Sequence, residues 1–185
     1  MAQFTIPGLS EKQGDEVADL LQTQLSTYND LHLTLKHIHW NVVGPNFIGV
    51  HEMIDPQVEL VRGYADEVAE RIAALGKSPQ GTPGAILKDR TWDDYSVDRD
   101  TAQAHLAALD LVYTGVIEDT RKAIDLLEDL DLVSQDMFID HAGQLEKFQW
   151  FVRAHLENAG GQLANKGATT EKGAARAAKK KAPVK

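Results

Sequence analysis

Apolar residues recur at steps of three and four along four long stretches of this chain, the spacing that gathers them on one face of an α-helix. The pattern is regular over residues 47–75. The apolar positions there are Phe47, Val50, Ile54, Val58, Val61, Ala65, Val68, Ile72 and Leu75. The periodicity predicts an all-α fold with four long helices, over about residues 12–41, 47–75, 96–127 and 134–158.

The breaks between these stretches predict how the helices are joined. Residues 44–46, Gly-Pro-Asn, supply a turn between the first and second helices. Gly76 can end the second helix, and Ser96 is a suitable N-cap for the third. The long connection over residues 76–95 contains Pro83, which favours one short helix there. A four-helix bundle with a long crossover between its second and third helices has the ferritin-like topology.

The chain divides into three parts by composition. Residues 1–11 are predicted to form an N-terminal arm, and residues 12–160 the ferritin-like four-helix bundle. Residues 161–185 form a basic C-terminal tail that is rich in Ala, Lys, Gly and Thr. Because the tail has almost no bulky apolar side chains to bury, we expect it to be disordered.

Composition excludes several classes of chemistry. The sequence contains no cysteine, so it can form no disulfide, thiolate metal site or cysteine nucleophile. No apolar run approaches the roughly 20 residues that a membrane-spanning helix needs, and the first residues lack the basic and apolar regions of a secretion signal. We therefore expect a cytoplasmic protein with no membrane contact.

Charge is distributed unevenly along the chain. The formal net charge is −9 at pH 7. Residues 166–185 contain seven basic residues and one acidic residue, Glu171, so they carry +6 and the remainder carries −15. An acidic body with a basic tail indicates nucleic acid as a partner. The candidate contacts to DNA phosphates are Lys166, Lys172, Arg176, Lys179, Lys180, Lys181 and Lys185.

Five side chains between residues 39 and 70 can ligate a metal ion. They are His39, His51, Asp55, Asp66 and Glu70. Two imidazoles with three carboxylates suit Fe, Mn or Zn. On one helix the last four fall within an arc of roughly 100°, yet Asp55 and Asp66 are separated by about 16 Å along the axis. One ion cannot reach both ends of this helix within one chain.

The positions of these residues are symmetric. The pairs His51 with Glu70 and Asp55 with Asp66 share a midpoint, between residues 60 and 61. If two copies of the helix cross antiparallel there, His51 faces Glu70 of the partner subunit, and Asp55 faces Asp66 of the partner subunit. Glu59 and Arg62 share the same midpoint and can pair reciprocally. The alternative from spacing alone is an exposed helix with a polar face.

Three segments of the sequence resemble the Dps proteins, the ferritin-like DNA-binding proteins of starved bacterial cells. They read H-W-N-V-V-G-P-N-F, H-E-M-I-D and D-E-V-A-E-R-I-A-A-L-G, and they recur in order at the right separations. The resemblance covers roughly residues 12–160 and is greatest for the mycobacterial members. It implies a metal site between two subunits. One subunit supplies His39, His51 and Asp55, and the other supplies Asp66 and Glu70.

The resemblance implies an enzyme, a ferroxidase. Fe(II) binds at the dimer interface, is oxidised preferably by hydrogen peroxide, and is stored as ferric mineral in a hollow dodecamer built from two-fold dimers. Trp40, beside His39, is a candidate electron donor, with core or interface packing as the alternative. The Glu-x-x-His pairs of a di-iron centre inside the bundle are absent, because no histidine here follows a glutamate by three positions.

The resemblance also implies acidic pores at the threefold axes of the shell. The acid-rich turn before the fourth helix matches that region, although a solvated acidic turn is the alternative. The candidate pore residues are Glu128, Asp129, Asp131 and Asp136. Leu132 stands where some members have Asp, so the ring here differs in detail.

Three functional hypotheses follow. The first is an iron-oxidising and iron-storing enzyme of the nucleoid that also binds double-stranded DNA non-specifically and protects it from oxidative damage. The second is a nucleoid-packing protein whose metal site is purely structural. The third is a non-catalytic metal-binding or interaction protein. The five-residue ligand set favours the first, and the basic tail supports DNA binding in the first two.

Overall fold

The computed structural model describes residues 5–181, and within them lie six helices and one short pair of strands. The two-residue strands β1 and β2 pair in parallel, Val42 with Asp100 and Val43 with Thr101. The all-α prediction and the short helix in the crossover are confirmed. In chain order the elements are α1 Glu11–Asn41, β1 Val42–Val43, α2 Phe47–Ala74, α3 Pro83–Asp89, β2 Asp100–Thr101, α4 Ala102–Leu127, α5 Leu132–Leu156 and α6 Glu171–Lys181.

Four long helices, α1, α2, α4 and α5, enclose the core. Helix α1 packs along α2, and α4 packs along α5. Apolar residues at the predicted helical spacing fill the space between them, and Tyr28, Tyr113 and Phe138 are the largest fully buried side chains. The stripe that predicted α2 is buried at Val50, Ile54, Val58, Val61, Ala65, Val68 and Ile72. Burial of this stripe leaves the other face of α2 for polar residues.

The turn between α1 and α2 brings the end of one helix beside the start of the next. Gly44 has a φ of +83° and Asn46, the N-cap of α2, has a φ of +65°, and both lie in the left-handed region that these residue types tolerate. At the other end of α2, Gly76 has a φ of +79°, which confirms its predicted role in ending the helix. The tight turn places the last residues of α1 next to the first turns of α2.

The start of α4 differs from the prediction. Ser96 is not its N-cap; the cap is Thr101, whose hydroxyl accepts a hydrogen bond from the Ala104 backbone at 3.4 Å. Pairing of β2 with β1 holds Asp100 and Thr101 in extended conformation, so the helix cannot begin before them. Ser96 instead donates from its backbone N–H and its hydroxyl to the Glu171 carboxylate, at 2.6 and 2.8 Å.

The prediction of a disordered tail was wrong for the described residues after 161. Asn165 is buried and donates to Asp110 at 2.8 Å, and α6 then packs on α4 with Ala174, Ala175 and Ala178 buried. Alanine has the highest helix propensity. Its small side chain also allows α6 to lie close to Ala104 and Ala108 of α4. Small apolar residues therefore replace the bulky ones that the composition argument required.

Among residues 5–181, no helix is both long enough and apolar enough to span a bilayer.

Candidate metal site

Two histidines form a reciprocally bonded pair where α1 meets α2. The Nδ1 of His39 lies 3.0 Å from the carbonyl oxygen of His51, and the Nδ1 of His51 lies 3.0 Å from the carbonyl oxygen of His39. Their rings stack with centroids 3.6 Å apart and an interplanar angle of 23°. His39 is buried, at 8% exposed, and His51 is partly buried. The turn that follows α1 therefore fixes both rings.

These bonds determine where each imidazole carries its proton. A carbonyl oxygen only accepts hydrogen bonds, so each Nδ1 must be the donor. In neutral histidine the Nε2 then keeps its lone pair, and no described residue is hydrogen-bonded to the Nε2 of His39 or His51. A backbone carbonyl that holds one ring nitrogen is the usual support of a metal-ligating histidine. With this proton placement, both Nε2 atoms keep a lone pair that can bind a cation.

Asp55 lies one helical turn after His51 and completes the cluster within the chain. Its Oδ1 is 3.1 Å from the Nδ1 of His39 and accepts from the Lys36 ammonium at 3.0 Å. The hydrogen bond from Lys36 holds the pKa of Asp55 below its usual range. The sequence analysis did not single out Lys36; its position one helical turn before His39 was the available signal. In the single chain, the Lys36 ammonium therefore binds one oxygen of the Asp55 carboxylate, which we predicted to bind metal.

Asp66 and Glu70 lie on the same helix but away from this cluster. Both side chains are exposed. Helix rise places Glu70 roughly 28 Å along the axis from His51. Within residues 5–181 of one chain, no three or more His, Asp and Glu side chains come together in an arrangement that can hold a metal ion. His39, His51 and Asp55 lie close to one another, but within the described residues these three do not by themselves form such a group, and Asp66 and Glu70 lie apart from them.

The backbone of this second end of α2 is tied to α5. Arg71, next to Glu70, donates to the Asp131 carboxylate at 2.6 Å and to the Ser134 hydroxyl at 3.0 Å. Burial by itself raises the pKa of Asp131, but hydrogen bonds from Ser134 and Arg71 outweigh it and hold this pKa below its usual value. Asp131 also caps α5 through the Ser134 backbone. Asp66 and Glu70 thus lie on a part of α2 that is fixed against α5.

The surface around the centre of α2 is open in the single chain. Arg62 donates to Glu59 at 3.2 Å within the chain, so their pairing between two chains stays a prediction. A Cβ placed on Gly63 would meet no atom within 4 Å. A pocket of about 410 Å³ beside Asp66 is also lined by His32 and Arg62. None of the residues in the described range 5–181 covers this central part of the polar face of α2.

Trp40 is the most exposed large side chain next to the site. It is 69% exposed, and the Lys36 ammonium lies 5.8 Å from the centroid of its ring. Packing of Trp40 in the core of its own chain is therefore wrong. Interface packing and electron donation remain as its two predicted roles.

The four candidate pore residues differ in their exposure to solvent. Asp131 is 7% exposed and is committed to its helix cap and to Arg71, so its assignment to a pore was wrong. A buried, paired carboxylate cannot contact ions in a channel. Glu128, Asp129 and Asp136 are exposed, and they stay predictions.

The basic residues of the tail also differ, in their exposure and in the groups that they contact. Lys172, Arg176 and Lys180 follow each other at steps of four on α6 and are exposed, so they form one basic stripe. Lys179 instead binds Asp100 at 2.6 Å and anchors α6 to β2. Lys166 is exposed as well. The side chain of Lys181 and the whole of Lys185 lie outside the described residues.

This chain is similar to known proteins both in sequence and in structure. The ferritin-like domain of the ferritin family matches residues 18–160. The DNA protection during starvation protein of Mycolicibacterium smegmatis is 82% identical over 181 residues, which cover 98% of this chain and 99% of that protein. A solved structure of Mycobacterium smegmatis Dps is 84% identical, with a TM-score of 0.91, and covers 94% of this chain and 99% of that one. DpsA14 from Streptomyces coelicolor is 57% identical with a TM-score of 0.86, over 88% of this chain and 97% of that one.

Proposed function

This chain belongs to the Dps family of ferritin-like proteins, and we propose that it is a ferroxidase that oxidises Fe(II), stores ferric mineral and protects DNA. The single observation that carries the enzymatic part is the reciprocal histidine pair. Two imidazoles whose Nδ1 atoms are held by carbonyl oxygens present two Nε2 lone pairs at one place.

The site is shared between two chains. His39, His51 and Asp55 of one chain meet Asp66 and Glu70 of the partner subunit across a two-fold axis at the centre of α2. The shared midpoint between residues 60 and 61 and the exposure of both later carboxylates support this arrangement. An isologous contact creates two such sites per dimer.

The ligand set suits iron that changes its oxidation state. Imidazole and carboxylate together bind Fe(II) and leave positions open for an oxidant. Two Fe(II) ions pass two electrons to one molecule of hydrogen peroxide, which is reduced to water when protons are supplied. The carboxylates of Asp55, Asp66 and Glu70 then favour the harder Fe(III). Lys36 binds one oxygen of Asp55, Oδ1, so iron binds the other oxygen or displaces the ammonium.

The proposal also includes assembly into a shell that stores the ferric mineral. Twelve chains form a hollow particle in which the mineral grows, and Fe(II) enters through pores lined by Glu128, Asp129 and Asp136. Their exposure supports this role, and acidic rings attract cations. Large apolar side chains exposed on the single chain, among them Leu132, Val133 and Ile139, also favour assembly, because such residues are usually covered at interfaces.

DNA is held by the basic stripe of α6 and by Lys166. The body carries −15 and the region from residue 166 carries +6, so DNA is attracted to the tail and repelled by the body. Lys172, Arg176 and Lys180 contact phosphates without reading base sequence, because the stripe contains no aromatic side chain for base stacking. This activity associates the protein with the nucleoid in the cytoplasm and allows it to condense DNA during oxidative stress.

Electron microscopy after anaerobic addition of Fe(II) and then hydrogen peroxide tests oxidation and storage together. We expect dense cores inside hollow particles of the unmodified protein. The Asp66→Asn variant should give empty particles. Glu52→Gln is the matched control, since Glu52 is an exposed carboxylate on the same helix that lies outside the proposed ligand set. Cores in Asp66→Asn particles, or their loss in Glu52→Gln, would contradict the site.

A gel-shift titration at several salt concentrations tests the DNA contacts. Deleting residues 166–185 should abolish DNA binding, but it also uncovers the face of α4 that α6 buries. Substitution is therefore sharper. Replacing Lys172, Arg176 and Lys180 with Gln should weaken binding to unrelated duplexes equally, and each lost contact should lower the slope of log affinity against log salt by about one. Lys179→Gln is the control, because its ammonium is bound to Asp100. If Lys179→Gln and Lys180→Gln weaken DNA binding equally, the basic stripe of α6 is not the DNA surface.

A further inference from the structure

A cavity of about 580 Å³ lies between α1, α4 and the start of α6, and none of the proposed iron ligands or pore residues lines it. Residues 92–96 of the connection between α3 and β2 also belong to its lining. The volume is within the range of cavities that hold small organic ligands. The cavity is therefore a place for a ligand that is separate from the histidine pair.

Most of the lining is apolar. Leu31 of α1 is 1% exposed, and the two aromatic residues of the connection, Trp92 and Tyr95, are partly buried. A Cβ placed on Gly115 of α4 would meet no atom within 4 Å, so the cavity is open at this point. An apolar group inside it can contact both aliphatic and aromatic side chains. The large apolar residues of the lining are Leu31, Trp92, Tyr95, Leu111, Val112 and Val116.

The charged part of the lining is mainly acidic. It consists of five carboxylates and one ammonium group, those of Asp30, Asp93, Asp94, Asp119, Glu171 and Lys172. Arg90 pairs with Asp94, and Lys122 donates to Asp119 at 2.7 Å. Within residues 5–181, the Asp93 carboxylate has no ion pair or hydrogen bond, and its side chain belongs to an exposed residue. Since the acidic groups outnumber the basic ones, the cavity favours a cation over an anion.

One buried hydroxyl of the lining has no partner. Thr34 is 8% exposed and lines the cavity. The hydroxyls of Thr27 and Thr114, which lie on the same two long helices, donate to carbonyl oxygens one turn earlier, at 3.0 and 2.8 Å. In the described part of the chain, the Thr34 hydroxyl makes no such bond. Because buried polar groups are normally hydrogen-bonded, this oxygen is available to accept from a ligand.

We infer that this cavity binds an amphipathic organic cation, an amine whose ammonium group is attached to a flat apolar body. The ammonium group donates hydrogen bonds to Asp93 and to the Thr34 hydroxyl, and the apolar body contacts Leu31 and the aromatic residues. The face of an aromatic ring such as that of Trp92 also attracts a cation. A ligand of the same shape with a carboxylate is repelled by the acidic lining.

Binding at this place involves the docking of α6. Residues 169–172 lead into α6 and line the cavity together with α1 and α4. They are held there by the Glu171 carboxylate, which accepts from the Ser96 backbone at 2.6 Å and from its hydroxyl at 2.8 Å. A ligand that contacts α4 and these residues at once requires that α6 stays docked. Bound ligand therefore slows hydrogen exchange in this segment.

Isothermal titration calorimetry of the full-length, metal-free protein with tryptamine tests the site without iron or DNA. Two further probes keep the indole ring and change the charge, since N-acetyltryptamine is neutral and indole-3-propionate is an anion. We expect tryptamine to bind about tenfold more tightly than N-acetyltryptamine, the scale of a cation beside aromatic rings in a partly desolvated site. Indole-3-propionate should give no binding heat.

Two variants test the charge and the space of the cavity. Asp93→Asn should weaken tryptamine binding about fivefold, the scale of one exposed ion pair, and leave N-acetyltryptamine unchanged. Asp98→Asn is the matched control, because Asp98 is an exposed carboxylate of the same connection that does not line the cavity. Gly115→Leu fills the cavity and should abolish binding of both probes. Urea denaturation confirms that each variant remains folded.

Hydrogen–deuterium exchange locates the bound tryptamine. Slower exchange in peptides that cover residues 92–96 and 169–172 supports the site. Protection only in other segments, equal affinities for the three probes, or unchanged tryptamine binding in Gly115→Leu overturns it. Equal effects of Asp93→Asn and Asp98→Asn, or no binding of tryptamine at millimolar concentration, overturn it as well.

Discussion

The two ends of α2 carry the proposed ligands in contrasting ways. At the N-terminal end, His51 is locked to His39 by two reciprocal bonds of 3.0 Å, and Asp55 is held by Lys36. At the C-terminal end, Asp66 and Glu70 are exposed and lie apart from the histidine pair of the same chain. Their backbone is nevertheless fixed, because Arg71 binds the buried Asp131.

The contrast indicates which half of the site depends on a second chain. The histidine half is complete without a partner, since α1 and α2 of one chain supply every contact that orients the rings. The carboxylate half is a rigid platform with free side chains. The following predictions test each half separately.

Removing a carboxylate ligand should have the largest effect. We expect Asp66→Ala to slow Fe(II) oxidation about a hundredfold, in the range known for losing a ligand or its support. The free energy of unfolding should change by no more than about 0.5 kcal/mol, because Asp66 is exposed and its removal leaves no cavity. Stopped-flow absorbance and urea denaturation measure the two quantities. A large loss of stability would show that Asp66 has a structural role.

Breaking the contact between Arg71 and Asp131, which fixes the helix under Asp66 and Glu70, should lower the stability of the fold more than the rate of Fe(II) oxidation. Asp131→Asn should lower the free energy of unfolding by about 2 kcal/mol at pH 7, because the partly buried Arg71 guanidinium loses its anionic partner. The folded-state pKa of Asp131 lies below its unfolded value of 3.8. Its stabilisation is therefore present above that value and is lost as the pH falls through the folded-state pKa. Denaturation at descending pH should show the difference between variant and unmodified protein shrinking only in that acidic range.

Releasing Asp55 from Lys36 should have the smallest effect. In Lys36→Met the pKa of Asp55 should rise toward its ordinary value, because the hydrogen bond that lowers it is gone. The stability change should stay below about 1 kcal/mol, since Asp55 is half exposed and exposed ion pairs contribute little. NMR titration of the Asp55 carboxyl in metal-free protein measures the shift. A pKa unchanged by the substitution would mean that Lys36 does not hold Asp55 in solution.

Sequence patterns predicted the helices of the bundle because their signal is local. The apolar stripe of α2 and the left-handed Gly76 are read directly from spacing and residue type. The start of α4 was missed because it depends on pairing between Val42 and Asp100, which are far apart in the chain. Helix α6 was missed because alanines were counted as too small to bury, while Ala174 and Ala178 fit closely against α4.

Residue types and spacing led to a hypothesis about the members of the candidate site, but they could not predict its geometry. Imidazole and carboxylate residue types, with their symmetric spacing, identified His51, Asp55, Asp66 and Glu70 as a set. The reciprocal hydrogen bonds of the two histidines depend on how tightly the 44–46 turn closes, which residue types alone do not specify. The part played by Lys36 also depends on side-chain packing between α1 and α2. The tail lysines needed the orientation of α6 before Lys179 could be separated from the stripe.

Sharing of one metal site between two chains is the central claim, and mixed dimers test it most directly. Asp66→Ala and His51→Ala chains, each with its own affinity tag, are co-assembled and the mixed dimers purified. Each mixed dimer then has one intact site and one doubly damaged site, so Fe(II) oxidation should return to about half the rate of the unmodified dimer. Stopped-flow rates as slow as those of the two parent variants, in dimers verified as mixed, would contradict a shared site.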